Sequence, residues 1–104
     1  MTCCVILTTT DKKEIAEQIA AKLIESKFAA CVQIDLVHSY FYWDGKLCSE
    51  NEYRLMIKTK KSCYNSVAQK IKDIHNYDLP EIIMVDITGG DDQYLNWLET
   101  SSNG

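Results

Sequence analysis

The dipeptide Asp44-Gly45 is the sequence feature that most constrains the fold of this chain. Strand-forming residues flank it, with an aromatic run at 40–43 before it and an alternating segment at 53–58 after it. A tight two-residue hairpin needs positive φ at both central positions, which Asp and Gly tolerate, so this pattern predicts two antiparallel neighbours joined by that turn. The first of these strands changes phase near positions 37 and 38, which predicts a bulge or a bend there.

Two apolar, β-branched segments predict the other strands of the sheet. They span positions 2–9 and 82–87, and polar residues bound each of them. Between the first strand and the hairpin, apolar residues recur at helical spacing from Ile15 to Phe28, which predicts an amphipathic helix. Asp11 precedes this stripe and a glutamate follows three residues later, so a carboxylate cap is predicted at the helix start.

Two further helices are predicted after the hairpin. One begins at Ser62, a favourable capping residue, and carries apolar residues through Ile74. The last helix is short, and one of the adjacent carboxylates Asp91 and Asp92 is predicted to cap it. Residues 100–104 are predicted to form a frayed tail.

This order of elements predicts one α+β domain over residues 1–104. The topology is ferredoxin-like βαββαβ, with a long hairpin between the second and third strands and an extra C-terminal helix. The hairpin tip carries Tyr40, Phe41, Tyr42 and Trp43, which would form an exposed aromatic patch on a single chain. Because an isolated ribbon is only marginally stable in water, we expect the tip to pack against other copies of the chain.

Charge and composition narrow the classes of partner. A net charge of −4 disfavours nucleic acid, because an acidic surface repels phosphate. No stretch reaches the ~18 apolar residues of a membrane span, and the first residues lack a basic signal region, which predicts a cytoplasmic protein without a membrane partner. The five cysteines form no CxxC pair, which predicts reduced thiols. No known catalytic motif is visible in the sequence, so no enzymatic activity is predicted.

Several segments together resemble the CutA divalent-cation-tolerance family. They are Ala29-Ala30-Cys31-Val32, positions 39–45, Lys58-Thr59, positions 75–82 and positions 94–97. The resemblance implies a homotrimer with hairpins that wrap neighbouring subunits, similar in architecture to the PII signalling proteins. Tyr40, Tyr42 and Trp43 then become the predicted trimer contacts. The resemblance also implies a role in tolerance to divalent ions, copper above all, with no required cofactor. Asn76 departs from the family's Pro, which predicts a looser loop.

Three residues are candidate ligands for copper or a related divalent ion at a seam between subunits. His75 offers a neutral imidazole, Cys31 a soft thiolate and Glu81 a carboxylate. Two of them also have a structural interpretation. His75 can hydrogen-bond the loop after the second long helix, and Cys31 fits a small buried position.

A second hypothesis places a cleft between subunits, lined by Lys58, Tyr77, Glu81 and Trp43. In this alternative the chain is a PII-like signalling or scaffold module that binds a small anion or a protein partner there. Lys58 and Glu81 stand at the ends of apolar strands, where a charged group needs a partner or solvent. They can therefore also form an ion pair that only fixes the loop.

Overall fold

A four-stranded sheet forms the centre of the molecule, and its strands supply one wall of the core. The computed structural model describes residues 2–103. Its elements follow the predicted order: β1 (Cys3–Thr10), α1 (Lys13–Glu25), β2 (Cys31–Trp43), β3 (Lys46–Lys60), α2 (Tyr64–Ile74), β4 (Ile83–Asp86) and α3 (Asp92–Thr100). A 3-10 turn, Lys61–Cys63, leads into α2.

The strands lie in the order β2-β3-β1-β4, and every neighbouring pair is antiparallel. Each long helix therefore connects two strands that have a third strand between them, which is the split βαβ arrangement. The predicted α+β, ferredoxin-like topology is confirmed, together with the long hairpin and the additional C-terminal helix.

The hairpin of β2 and β3 keeps one register from the pair Cys31↔Lys58 to the pair Trp43↔Lys46. Its turn residues Asp44 and Gly45 have φ values of 57° and 75°, as the Asp-Gly signal predicts. The bulge predicted near positions 37 and 38 is wrong, because pairing continues without interruption there. In this segment the ribbon extends beyond the helices and its residues are mostly exposed, so burial no longer enforces an alternating apolar pattern.

The core lies between one face of the sheet and the helices α1 and α2. Alternate residues of the central strands point into it, and the helices fill it at the spacing of three and four residues that the sequence predicts. Burying one aliphatic side chain of this kind contributes about 1.5–3 kcal/mol. The residues of this cluster are Cys4, Ile6, Ala16, Ile19, Leu23, Ala29, Leu55, Ile57, Cys63, Val67 and Ile71.

Helix starts differ from the sequence prediction in two cases. Asp11 does not cap α1, and the Thr10 hydroxyl instead accepts the backbone N–H at position 12 at 3.3 Å. Ser62 lies inside the 3-10 turn and not at the cap of α2. Asp91 does cap α3, where its Oδ2 accepts a backbone N–H of the first turn at 3.0 Å.

The opposite face of the sheet is largely open, apart from the end that α3 covers. Cys3 lies beneath α3, with its Sγ 3.8 Å from the Leu95 carbonyl oxygen. Cys3 and Cys4 are therefore both buried, although they point to opposite faces of β1. On β4, Ile83 and Val85 are 49% and 47% exposed. This face thus presents apolar side chains to solvent in the single chain, hereafter the open face.

The residues after α3 are anchored as far as Asn103. Ser102 is fully buried and its hydroxyl donates to the Leu98 carbonyl at 2.8 Å. The backbone N–H of Asn103 donates to the Lys27 carbonyl at 2.6 Å. This differs from the frayed tail predicted for 100–104, of which Gly104 lies outside the described residues.

Candidate functional site

The loop that follows α2 is held against β1 by the imidazole of His75. The backbone N–H of Tyr77 donates to Nδ1 at 3.0 Å, so the proton of the neutral ring is on Nε2. Nε2 then donates to the carbonyl of Thr9 at 2.7 Å. Both ring nitrogens of His75 are thus engaged in fixing the loop.

Asn76 fixes the same loop through a second pair of hydrogen bonds. Its Oδ1 accepts the Thr10 hydroxyl at 2.6 Å, and its Nδ2 donates to the Asp11 carboxylate at 2.8 Å. The loop is therefore held in place although position 76 lacks a proline. The Asp11 carboxylate thus bonds this loop, while the cap position of α1 is Lys12.

The fixed loop places Tyr77 over a carboxylate of β3. The Tyr77 hydroxyl donates to Glu52 Oε2 at 2.8 Å, and Glu52 is only 5% exposed. Burial first, and then the hydrogen bond to Glu52 and its negative charge, raise the pKa of Tyr77 well above its ordinary value. The phenol therefore stays protonated and remains a donor at neutral pH.

Two neighbouring cavities lie beside Tyr77 and share part of their lining, and together they are called the Tyr77 groove hereafter. Its first compartment has a volume of about 400 Å³ and its second about 260 Å³. Phe41, Tyr77 and Leu79 line both compartments. The first is completed by Thr9, Ser39, Tyr40, Glu52 and Glu81, and the second by Asp11, Trp43, Cys48, Glu50 and Asp78.

Carboxylates supply all the formal charge of the groove lining. Five lining residues are Asp or Glu, and none is Lys or Arg. Arg54 shares a face of β3 with Glu52, but its guanidinium donates to both Asp35 oxygens, at 3.2 and 2.8 Å. These hydrogen bonds, and then the charge of Arg54, hold the pKa of Asp35 below its ordinary value. The basic residue nearest to Glu52 along the strand is therefore already paired.

Three of the four residues predicted to line the cleft come together here. Tyr77 lines both compartments, Glu81 lines the first and Trp43 the second. Lys58 does not join them, and its Nζ donates instead to the Tyr94 hydroxyl at 3.4 Å.

The register of β1 explains the separation of Lys58 from Glu81. Lys58 pairs with Val5, whereas Glu81 lines the same compartment as Thr9, four residues further along β1. Four residues of extended strand span about 13 Å. The ion pair of Lys58 and Glu81 that the sequence suggested is therefore not formed.

The three predicted metal ligands lie apart within one chain. Glu81 lines the groove, His75 has both nitrogens engaged, and Cys31 pairs with Lys58 in the β2–β3 ladder. Among residues 2–103, no three His, Cys, Asp or Glu side chains form a group able to hold a metal ion. A metal site using these positions would need ligands from a second chain.

The predicted trimer contacts stand at the hairpin tip. Tyr40, Tyr42 and Trp43 are 72%, 75% and 54% exposed. Exposure of three large aromatic side chains is unusual for a surface that meets only water. The tip is therefore available for contacts between chains.

Sequence reasoning missed Glu52, the most deeply buried acidic residue of the groove. The available signal was the segment Glu50-Asn51-Glu52, which places two carboxylates at alternate positions of a long strand. Alternate residues share one face, and acidic residues are disfavoured in strands, so this pair indicates a specific acidic surface. Only the tertiary structure shows that this surface faces the loop that carries Tyr77.

Known proteins are similar to this chain in sequence and in architecture. The family described as CutA1 divalent ion tolerance protein matches residues 4–101. The chain belongs to the CutA family. The family resemblance noted in the sequence is thereby confirmed.

Relatives in the CutA family match most of the chain. Divalent-cation tolerance protein CutA of Pectobacterium atrosepticum is 37% identical over 98 residues, which cover 93% of this chain and 89% of that protein. Protein CutA, chloroplastic, of Arabidopsis thaliana is 37% identical over 99 residues, which cover 94% of this chain and 54% of that protein. The chain thus spans about half the length of the chloroplastic relatives it matches.

Solved structures of the family have the same fold. CutA1 from Oryza sativa has a TM-score of 0.94 at 36% identity, covering 99% of this chain and 95% of that one. The PII-like protein CutA from Nostoc sp. PCC 7120 has a TM-score of 0.89 at 30% identity, covering 96% and 97%. The fold is therefore that of CutA1 and of a PII-like protein.

Relatives of this chain are named for different cellular locations. One solved relative, from Archaeoglobus fulgidus, is described as periplasmic, and two others are named chloroplastic. In the described part of the chain, no helix combines the length and the apolar character needed to cross a membrane. A cytoplasmic location stays a prediction.

Proposed function

We propose that this chain is a homotrimeric, PII-like binding module that contributes to divalent-cation tolerance by binding positively charged ligands in the Tyr77 groove. The groove lies at the seam between subunits, and the proposal includes no catalytic step. The negative charge of the groove lining is the observation on which the proposal rests. Five carboxylates and no basic residue line the groove, so it attracts cations and repels anions.

Exposed apolar surface supports self-association. Ile83 and Val85 on the open face are about half exposed, and the aromatic tip lies at the end of a molecule 45 Å long. Large apolar patches with a polar rim are typical of protein interfaces. The trimeric state comes from the family resemblance, and the groove beside the tip is then closed by the neighbouring chain.

Glu81 is the predicted metal ligand that this geometry favours. A divalent ion at the seam binds the carboxylates of one chain and completes its shell with water or with groups from the next chain. Copper at His75 requires displacement of either the Tyr77 N–H or the Thr9 carbonyl. We therefore assign His75 a structural role, and we place Cys31 outside the site.

A small anion is the less favoured ligand for the PII-like alternative. Lys58, the one basic residue predicted for the cleft, is bonded to Tyr94 and lies away from the groove. An anion in the groove would meet five carboxylates, and the Arg54 guanidinium, whose charge acts on Glu81, is already bonded to Asp35. A basic surface of a protein partner satisfies the same charge requirement as a small cation.

Thermal unfolding of the purified, tag-free chain tests the proposal. We expect CuCl₂, ZnCl₂ or MgCl₂ to raise the melting temperature, because a ligand that binds only the folded form stabilises it, and we expect sodium phosphate to have no effect. Glu81→Gln reduces the shift. Glu99→Gln is the matched control, because it removes one exposed carboxylate outside the groove lining. Equal shifts in both variants, or stabilisation by phosphate alone, would contradict the proposal.

Sedimentation of the same samples tests the trimer. We expect a single species with three times the 11.9 kDa mass of one chain. Trp43→Ala weakens this assembly on dilution. Ile24→Ala, which removes an apolar side chain 44% exposed on α1, leaves it unchanged. A stable, folded monomer of the unmodified chain would rule out a seam site.

A further inference from the structure

Glu52 is a buried charge without a positive partner. It is 5% exposed, and the contact identified for its carboxylate is the Tyr77 hydroxyl at Oε2. Among residues 2–103, no Lys, Arg or His forms an ion pair with it, since the ion pairs are Lys22–Glu25, Arg54–Asp35 and Lys61–Asp86. Buried charges in proteins are normally paired, so a cation bound in the first compartment would give Glu52 the positive partner that it lacks among these residues.

The walls around Glu52 offer contacts that a bare metal ion does not use. Tyr40, Phe41, Tyr77 and Leu79 supply aromatic rings and an aliphatic side chain beside the carboxylates. A hydrated divalent ion gains little from such surfaces, because it needs several oxygen ligands at short distance. An organic ammonium group gains from both kinds of wall, through cation–π contact with the rings and burial of its methylene groups.

The second compartment of the groove also combines carboxylates with aromatic and aliphatic side chains. The second compartment carries Asp11, Glu50 and Asp78, and it shares Phe41 and Tyr77 with the first. Each compartment carries carboxylates, and the apolar side chains of Phe41 and Leu79 line both, which suits a molecule with two positive ends joined by a methylene chain.

We infer that the Tyr77 groove binds a linear aliphatic diamine or polyamine. One ammonium group lies against Glu52 and Glu81, the methylene chain follows Phe41 and Leu79, and the other ammonium group reaches the carboxylates of the second compartment. The inference rests on the proposed cation-binding function, and it names the ligand class for that groove.

Isothermal titration of the full chain at low salt tests the inference. The probes are spermidine and 1,4-diaminobutane, with 1-aminobutane as the ligand that has one positive end only and MgCl₂ as the bare ion. We expect spermidine to bind most tightly and 1-aminobutane to bind at least about tenfold more weakly than 1,4-diaminobutane, because it lacks one charged contact.

Variants separate groove binding from general attraction to an acidic protein. Glu52→Gln weakens spermidine binding about tenfold, and Glu81→Gln, an exposed position that does not endanger folding, weakens it in the same direction. Glu99→Gln leaves it unchanged. Equal losses in Glu81→Gln and Glu99→Gln, or equal affinity for the two aminobutanes, would overturn the inference.

The outcomes also separate this inference from the proposed function. Binding of divalent metal ions that Glu81→Gln weakens, without any heat from millimolar spermidine, would refute the polyamine and leave the cation-binding module intact. Absence of binding for both kinds of cation would refute both.

Discussion

Replacement of Tyr77 by Phe tests the contact on which the groove depends. The change removes one hydroxyl and leaves Glu52 Oε2 without the donor that now lies 2.8 Å away. A hydrogen bond to a charged group contributes about 1.5–3 kcal/mol, and Glu52 is 5% exposed, so water replaces the donor poorly. We expect Tyr77→Phe to lower the free energy of unfolding by about 2 kcal/mol per chain.

Urea unfolding followed by circular dichroism measures this loss, and a double-mutant cycle assigns it. In a Glu52→Gln background the same Tyr77→Phe change should cost much less, because the buried charge is already absent. Protein concentration must be equal in all four samples, since assembly adds to apparent stability. An identical cost of Tyr77→Phe in both backgrounds would refute a direct bond between the two side chains.

The raised pKa of Tyr77 adds a second readout of the same contact. Its ordinary value is 10.0, and the folded protein holds it higher. Because the pKa of Tyr77 is higher in the folded state, the protonated phenol contributes its full stabilisation below pH 10.0. This stabilisation is lost as the pH rises through the pKa of the folded state. The stability difference between the unmodified chain and Tyr77→Phe should therefore shrink above pH 10.0. A difference that grows with pH would mean that the phenolate is the favoured form.

Three further changes test other parts of the structure. Gly45→Ala places a side chain at φ 75°, so we expect a loss of about 1 kcal/mol in urea unfolding, and no loss would mean that the turn has another conformation. Burial raises the pKa of Cys4 to about 11, so iodoacetamide at pH 8 should modify the partly exposed Cys48 and spare Cys4. Mass spectrometry measures the labelling, and early labelling of Cys4 would contradict its burial. His75→Leu removes the partners of two backbone groups and should cost about 2–4 kcal/mol in thermal or urea unfolding. Unchanged stability together with lost copper binding would instead make His75 a ligand.

Local sequence signals predicted the elements because each depends on neighbours along the chain. The Asp44-Gly45 turn needs only two residues that tolerate positive φ, and the structure has both there. Helical spacing likewise places Ile19 and Leu23 on one buried face. The predicted bulge is wrong because the residues of this ribbon are mostly exposed. Their alternation of apolar and polar side chains therefore does not report which face of the strand each residue occupies.

The site was predicted only in part because its members come from distant positions. Tyr77, Glu81 and Trp43 belong to motifs that the family resemblance marks, and all three line the groove. Lys58 also ends an apolar strand, so the sequence groups it with them, yet the strand register directs it to Tyr94. Glu52 carries no motif, and its burial depends on a loop that lies 25 residues away in sequence.

The amino-acid sequence alone determined the order of the elements, the hairpin turn and the helical faces that form the core, since propensity and periodicity act over a few residues. Tertiary structure decided which charges meet. It engaged both nitrogens of His75 in the loop, joined Arg54 to Asp35, and left Glu52 buried without a basic partner among the described residues. Strand register and the path of one loop set these contacts, because electrostatic pairing depends on distances in space that no short sequence pattern contains.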